Sequence, residues 1–482
     1  MQKTKIAQYY TDYTENNIYD IESAPTHGNC RFLVIPIWFT DSSTYIQTSM
    51  RENVRADIEK AYFGSSSETG WHSVKTYYET ESKGAVTISG TVSEWYELGQ
   101  RMSMYATGNQ NTTTLAVSAK NWYFNNHPSD SPKNYDGDGD GYIDGVMLIY
   151  AAPNYDTLNR SDYSNLWAYC YWVQDQSQKS YTNPGTNVFF WASYDFLYSS
   201  GTARSRAGTN YAAGDTSYCN IDAHCFIHEM GHVFGLDDYY DYGPNRYCPA
   251  AGFSMQDYNI GGHDPFSTMA FGWSDPYIPT SSCSITIGAF QSTHDLILLT
   301  PSWNSFNSPF DEYLLLELWT PTGLNSFDCA HNYKGQYPTG PSVPGIRLWH
   351  VDARLLYIEM DQGAYENQMT SNARYASYYG VTHAFSNSVG NEDYGSPLGS
   401  AYDSYDLLRL VRNDTYSTTK DKNSLTASSL FRSGSSFNMS SFSRQFPRSS
   451  LLNSGKSLGW SFSVSISGSG ENATATINLV RG

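Results

Sequence analysis

Apolar positions set the first outline of this chain. Arg31 to Asp41, RFLVIPIWFTD, is a nearly continuous apolar run, the pattern of a strand buried on both faces. A helical period follows over Ser49 to Phe63, with Met50, Val54, Ile58, Ala61 and Tyr62 on one side and Gly64 as its stop. A short helix is expected through SVKTYYETES. The alternation of Val86, Ile88 and Val92 in GAVTISGTVSEWYEL, from Gly84, predicts one or two strands. This β-α-α-β order suits helices packed on a sheet. Pro153 to Gly214 is rich in Tyr, Ser, Asn and Gly and has little periodicity. Its one strong strand, VFFWASYDFLY from Val188 to Tyr198, belongs either at a sheet edge, where an extended peptide can pair with it, or in the interior.

The periodicity changes near Pro276. SITIGAF, LILLTPSW, DEYLLLELW, GIRLWHVDARL, WSFSVSIS and ATATINLV read as short strands separated by Gly, Pro, Ser and Asn. GSGEN joins the last two as a hairpin. The spacing predicts a β-sandwich of about 200 residues, with the polar, serine-rich stretch Thr370 to Ser449 as long loops. A chain of 482 residues exceeds one domain. The expected fold is α+β: a first domain over residues 1–278 with helices on a sheet, then an all-β sandwich over 279–482.

Charge and composition narrow the partners. A net charge of −18 argues against nucleic acid and offers anionic membranes no basic patch. No apolar stretch is long enough to span a bilayer. With 41 tyrosines, 12 tryptophans, 38 glycines and only 16% charged residues, the profile is that of a rigid extracellular protein. The first residues, MQKTKIAQYYTDYTENN, lack the apolar core of a secretory signal. Secretion is therefore expected with the signal lying outside this chain, and the protein is expected to be a monomer. Seven cysteines are too few for a disulfide scaffold, although Cys219 and Cys225 could close a small loop.

The densest chemistry lies in HEMGHVFGLDD, His228 to Asp238. Asp222 is its expected N-cap, Phe226, Ile227, Val233 and Phe234 form an apolar face, and Gly235 supplies the stop. His228 and His232 stand one helical turn apart, so both imidazoles can reach one ion. Glu229 is placed beside that ion on a different bearing, suited to act as a base on water. Past Gly235 the acids Asp237, Asp238 and Asp241 crowd one turn, and spacing favours Asp238 as third ligand. Three protein ligands with an open position describe a catalytic zinc rather than a structural one. The expected chemistry is hydrolysis of protein or peptide substrates, with Glu229 as general base and Tyr258 as candidate oxyanion donor. The rival expectation is a catalytically silent extracellular binder, an adhesin or glycan binder, motivated by the aromatic content.

A second cation is expected in NYDGDGDGYIDGVMLIYA, Asn134 to Ala151. Asp136, Asp138, Asp140 and Asp144 hold positions 1, 3, 5 and 9 of a calcium-loop pattern, with Gly141 at the sharp turn. Met147 at position 12 excludes an EF-hand, leaving a smaller structural calcium site or an acidic turn. Repulsion among four carboxylates favours calcium.

These stretches, with FSMQDYN, STMAFGW, EYLLLELW and GIRLWHVD, resemble the immune inhibitor A-like family of secreted bacterial metallopeptidases, in that family's order across most of residues 30 to 355. The resemblance implies a metzincin-like zinc endopeptidase domain followed by a β-sandwich. It also implies zinc held by His228, His232 and Asp238, and Met255 as an apolar floor beneath them. Asp237 stands where the family commonly has proline.

Overall fold

The computed structural model describes residues 1–6, 23–108, 110–198, 207–208, 220–240, 248–333, 337–359, 364–370, 382–385, 405–414 and 424–482. By density of internal contacts the chain divides into two compact units. One is Tyr19–Leu236 with Tyr333–Gly335; the other is Met1–Ile18, Asp237–Asn332 and Gln336–Gly482. Residues 237–278, expected with the first domain, cluster with the second unit. The fold is mixed, with helices and several sheets, as the α+β expectation requires.

In the first unit the strands are β1 (Gly28–Trp38), β2 (Val86–Val92), β3 (Tyr96–Glu97), β4 (Val146–Tyr150), β5 (Tyr169–Trp172) and β6 (Val188–Ser193). Among the described residues they form one sheet in the order β2-β1-β4-β6-β5, with β3 also on β1. β1 is flanked by parallel strands on both sides, which accounts for its unbroken apolar run. The strand at Val188 lies inside the sheet, parallel to β4 on one side and antiparallel to β5 on the other, so the edge reading of it is overturned. Among the described residues the end of the sheet on that side is β5, whose four half-buried residues YCYW carried no period long enough to read.

Helix α1 (Arg51–Phe63) starts two residues later than expected, because Thr48–Met50 forms a 3-10 turn ahead of it. Gly64 ends it in an extended conformation rather than a left-handed one; a side chain there would meet the Lys60 carbonyl at 2.6 Å. Helix α2 (Val74–Glu81) is capped by the Ser73 hydroxyl, which accepts the Thr76 N–H. Helix α3 (Gln110–Asn126) was not foreseen. Its sequence is rich in Thr and Asn, yet it buries Leu115, Ala116, Ala119 and Tyr123 against one side of the sheet. Helix α4 (His224–Val233) packs on β5, β6 and α2.

The second unit is mainly strands. β7 (Pro276–Tyr277), β9 (Leu296–Leu299), β10 (Glu312–Trp319), β11 (Gly345–Asp352) and β15 (Leu408–Val411) form one sheet in the order β15-β11-β10-β9-β7. β8 (Cys283–Gly288), β16 (Ser436–Asn438), β17 (Trp460–Ser467) and β18 (Thr474–Arg481) form another, ordered β16-β17-β18-β8. The expected final hairpin is present as the antiparallel pair β17-β18. Ile297, Leu314, Leu316 and Leu348 of the first sheet share one apolar core with Ile287, Phe462, Val464 and Ile477 of the second. A third sheet joins β12 (Leu355–Glu359), β13 (Ala364–Thr370) and β14 (Thr382–Phe385). The reading of 370–449 as loops is corrected by β14, β15 and β16; β15 extends one core sheet through four buried residues, and β16 extends the other through Phe437.

Candidate metal centre

Helix α4 is fixed from several sides within the first unit. Phe226 packs 5.5 Å from the Tyr62 ring of α1 and 5.3 Å from Phe190 of β6. Phe234, just past its end, lies 6.2 Å from Phe32 and 4.9 Å from Tyr78. The Tyr78 hydroxyl donates to the Ile227 carbonyl at 2.7 Å. The expected cap is corrected: the helix begins at His224 with Ala223 at the N-cap. Asp222 acts one residue earlier, accepting the His224 N–H at 3.0 Å and pairing with its ring Nδ1 at 2.9 Å. The His224 ring stacks on Trp71, 3.9 Å between centroids.

The stop is as the sequence implied. Gly235 has φ +104°, open to glycine and costly for other residues, and the Leu236 N–H returns to the Gly231 carbonyl at 2.9 Å. This reversal also brings the Leu236 carbonyl to 2.7 Å from Nδ1 of His232. A carbonyl can only accept, so Nδ1 carries the proton and Nε2 keeps its lone pair. His228 and His232 stand with ring centroids 4.9 Å apart and planes at 88°. One ligand atom from each, with one from Asp238, lie within 4.8 Å of one another. Of the other two acids, Asp237 is exposed and outside this group, and Asp241 lies outside the described residues. Cys225 is not part of the group either.

Two imidazoles and a carboxylate, one ring already oriented through its far nitrogen, make a donor set that fits a borderline divalent cation such as zinc. Glu229 is 6% exposed and His228 3%. The phenols of Tyr62 and Tyr78 and the thiol of Cys170 on β5 are pushed up, chiefly by burial, and Glu229 adds its charge in each case.

In the second unit the residue after Asp238 is anchored twice. The Tyr239 N–H donates to the Gln256 carbonyl at 2.8 Å, and its hydroxyl meets Ser267 Oγ at 2.8 Å. Ser267 in turn donates to Asp264 at 2.7 Å. Met255 is fully buried and opens a one-turn helix, Met255–Tyr258. A short helix runs from Pro265 to Ala270, with Asp264 as its N-cap. Tyr258 packs 5.0 Å from Tyr337, and burial holds its phenol protonated, as a donor must be. Asp257, in the same turn, is buried. Burial, with the charges of Asp238 and Asp264 adding, pushes its carboxyl up to about 8 against the Gly252 N–H that it accepts. Two residues from a methionine in a polar turn, it gave no periodic signal.

The acidic loop splits the four expected calcium ligands. Carboxylate oxygens of Asp136, Asp138 and Asp140 lie within 4.8 Å of one another. Asp144 stands outside that group: its oxygens accept the N–H of Arg31 and of Gly137, each at 2.8 Å, tying the loop to β1. It still lines the same small cleft as Asp138 and Asp140. Gly141 makes the sharp turn at φ +97°. Oδ1 of Asp136 is buried without a hydrogen-bond partner, and burial together with Asp138 pushes Asp140 up to about 7.

The described cysteines Cys30, Cys170, Cys283 and Cys329 are free thiols, and Cys219 lies outside the described residues. Among the described residues no helix is long and apolar enough to cross a membrane. No protein-family model matches the chain, and no curated protein does either.

Proposed function

We propose that this protein is a secreted zinc endopeptidase of the immune inhibitor A-like type, with a metzincin-like domain and a β-sandwich accessory domain. The observation that carries the proposal is the convergence of His228, His232 and Asp238 with Glu229 next to the first histidine. When bound there, zinc supplies Lewis acidity toward water and toward a scissile carbonyl. Glu229 takes the proton of the attacking water and hands it to the leaving amine, the work of a general base that becomes a general acid. The Leu236 carbonyl holds His232 in the tautomer that leaves Nε2 available. Tyr258 is the proposed donor to the developing oxyanion, and Met255 the proposed floor.

Substrate is proposed to pair along β5 rather than β6. Among the described residues β5 has a strand on one side only, so its other side offers main-chain groups to an extended peptide. Helix α4, which carries Glu229, packs against β5, and this packing supports the choice of that strand. Asp136, Asp138 and Asp140 are proposed to hold a structural calcium ion, for which the unpartnered buried oxygen of Asp136 is the support.

The test is Glu229→Gln in the full chain. The variant is expected to bind one zinc per chain and to melt as the wild type does, while cleavage of unfolded casein falls by at least about a thousandfold, the general-base contribution and more. Casein cleavage at the wild-type rate by a clean preparation, or a wild type that binds no zinc, overturns the proposal.

A further inference from the structure

The strand-rich second unit carries a cleft of about 380 Å³ that the peptidase reading leaves unused. That volume lies in the usual range for small-ligand sites, roughly 300–1,000 Å³. Trp303, Asp311, Glu312, Arg354, Ser454 and Lys456 are the lining side chains that matter. They come from three stretches: the segment leading into β10, the end of β11 and the turn before β17.

The walls are fixed in advance. Trp303 is half-buried, its Nε1–H donates to Asn307 Oδ1 at 3.0 Å, and its ring stands edge-on to Tyr313 at 5.9 Å. Asn304 ties the same segment by donating to the Ser308 carbonyl at 2.9 Å and to Asp311 Oδ2 at 3.1 Å. Glu312 is saturated by the His350 ring at 2.9 Å, by the Ser454 N–H at 2.8 Å and by the Asn453 N–H. Asp352 grips Arg354 through Nε at 2.6 Å and Nη2 at 2.8 Å, and accepts Asn453 Nδ2 at 2.9 Å. These bonds strap the turn at Asn453 to the ends of β10 and β11, so little order remains to be imposed when a ligand arrives.

The chemistry of the lining selects among ligands. Two carboxylates and two cations balance, so neither an anion nor a cation is favoured by net charge. Each Asp311 oxygen has accepted one hydrogen bond and retains a lone pair, and Lys456 is exposed. An indole beside both acceptors and donors matches a sugar ring, whose C–H face packs on an aromatic and whose hydroxyls donate and accept at once. A peptide side chain or lipid would need apolar lining that is scarce here. We propose that this cleft is a binding site for a neutral saccharide, which would attach the protein to glycosylated material independently of catalysis.

The test uses the full chain with glucose, galactose, mannose and their N-acetylated forms, followed by indole fluorescence and saturation-transfer NMR. N-acetylneuraminic acid and unmodified tripeptides serve as comparators. At least one neutral sugar is expected to bind, with Trp303→Ala weakening it tenfold or more and Asp311→Asn also weakening it. Trp303→Phe should recover part of the affinity, and the melting temperature of each variant reports that it is folded. Binding of no neutral sugar, sugar binding indifferent to Trp303→Ala in a folded variant, or Trp303-dependent binding of the comparators alone each overturns the proposal. None of these outcomes depends on whether casein is cut.

Discussion

Nδ1 of His232 lies 2.7 Å from the carbonyl oxygen of Leu236, four residues further along the chain. The bond exists because Gly235, at φ +104°, reverses the backbone immediately after the helix. One glycine thus both ends α4 and orients a proposed metal ligand. Gly235→Ala puts a side chain into a left-handed conformation and should cost about 1–2 kcal/mol of stability. It should also weaken zinc binding by roughly ten- to a hundredfold, the usual effect of losing an outer partner of a ligand. Competition against a chromophoric chelator, alongside a thermal melt, separates the two effects.

The third ligand can be assigned by substitution. Asp238 joins the two histidines within 4.8 Å, whereas Asp237 is exposed and outside the group. Asp238→Asn is expected to lower zinc affinity by at least tenfold and peptidase activity with it. Asp237→Asn should leave both unchanged. A reversed pattern in metal analysis of the dialysed variants would move the assignment.

Calcium should act on stability rather than on chemistry. At a hundred times its dissociation constant a ligand of the folded state adds about 2.7 kcal/mol. Chelation by EGTA is therefore expected to lower the melting temperature of the wild type, and Asp138→Asn should shrink that response. Asp144→Asn should behave differently. It disturbs the acceptor of two backbone N–H groups, so it should destabilise with or without calcium, by about 1–3 kcal/mol.

Acid should weaken the first unit through His72. Burial, aided by His224, lowers its pKa from 6.5 to about 4. A histidine that protonates more readily when unfolded gives its full stabilisation above pH 6.5 and loses it as pH falls toward 4. The loss is at most about 3.5 kcal/mol, since each pKa unit is worth about 1.4. In His72→Gln the slope of stability between those limits should flatten in urea melts; an unchanged slope would place the acid sensitivity elsewhere.

The elements that sequence revealed were those whose burial has a short period or none at all. β1 showed itself as an unbroken apolar run because parallel neighbours cover both its sides. α4 showed its face, its stop and its histidine pair, since a helix fixes relations among residues three and four apart. α3 stayed hidden because its buried face is small residues and one tyrosine among threonines and asparagines. β5 stayed hidden because four residues carry too little alternation to stand out.

By itself, then, the sequence determined relations that a single element enforces: two imidazoles one turn apart, a glycine where the chain must reverse, acids at every second position of a loop. The tertiary structure decided what depends on neighbours distant in the chain. Among the described residues it made β5 rather than β6 an edge, paired β15 with the distant β11, put β16 in one sheet with the distant β8, and took Asp144 from its three companions. The physical reason is that periodicity records whether a side chain meets apolar surroundings or water, and carries no record of which strand supplies the cover. Equally, the spacing of carboxylates does not say which of them a backbone N–H will claim first.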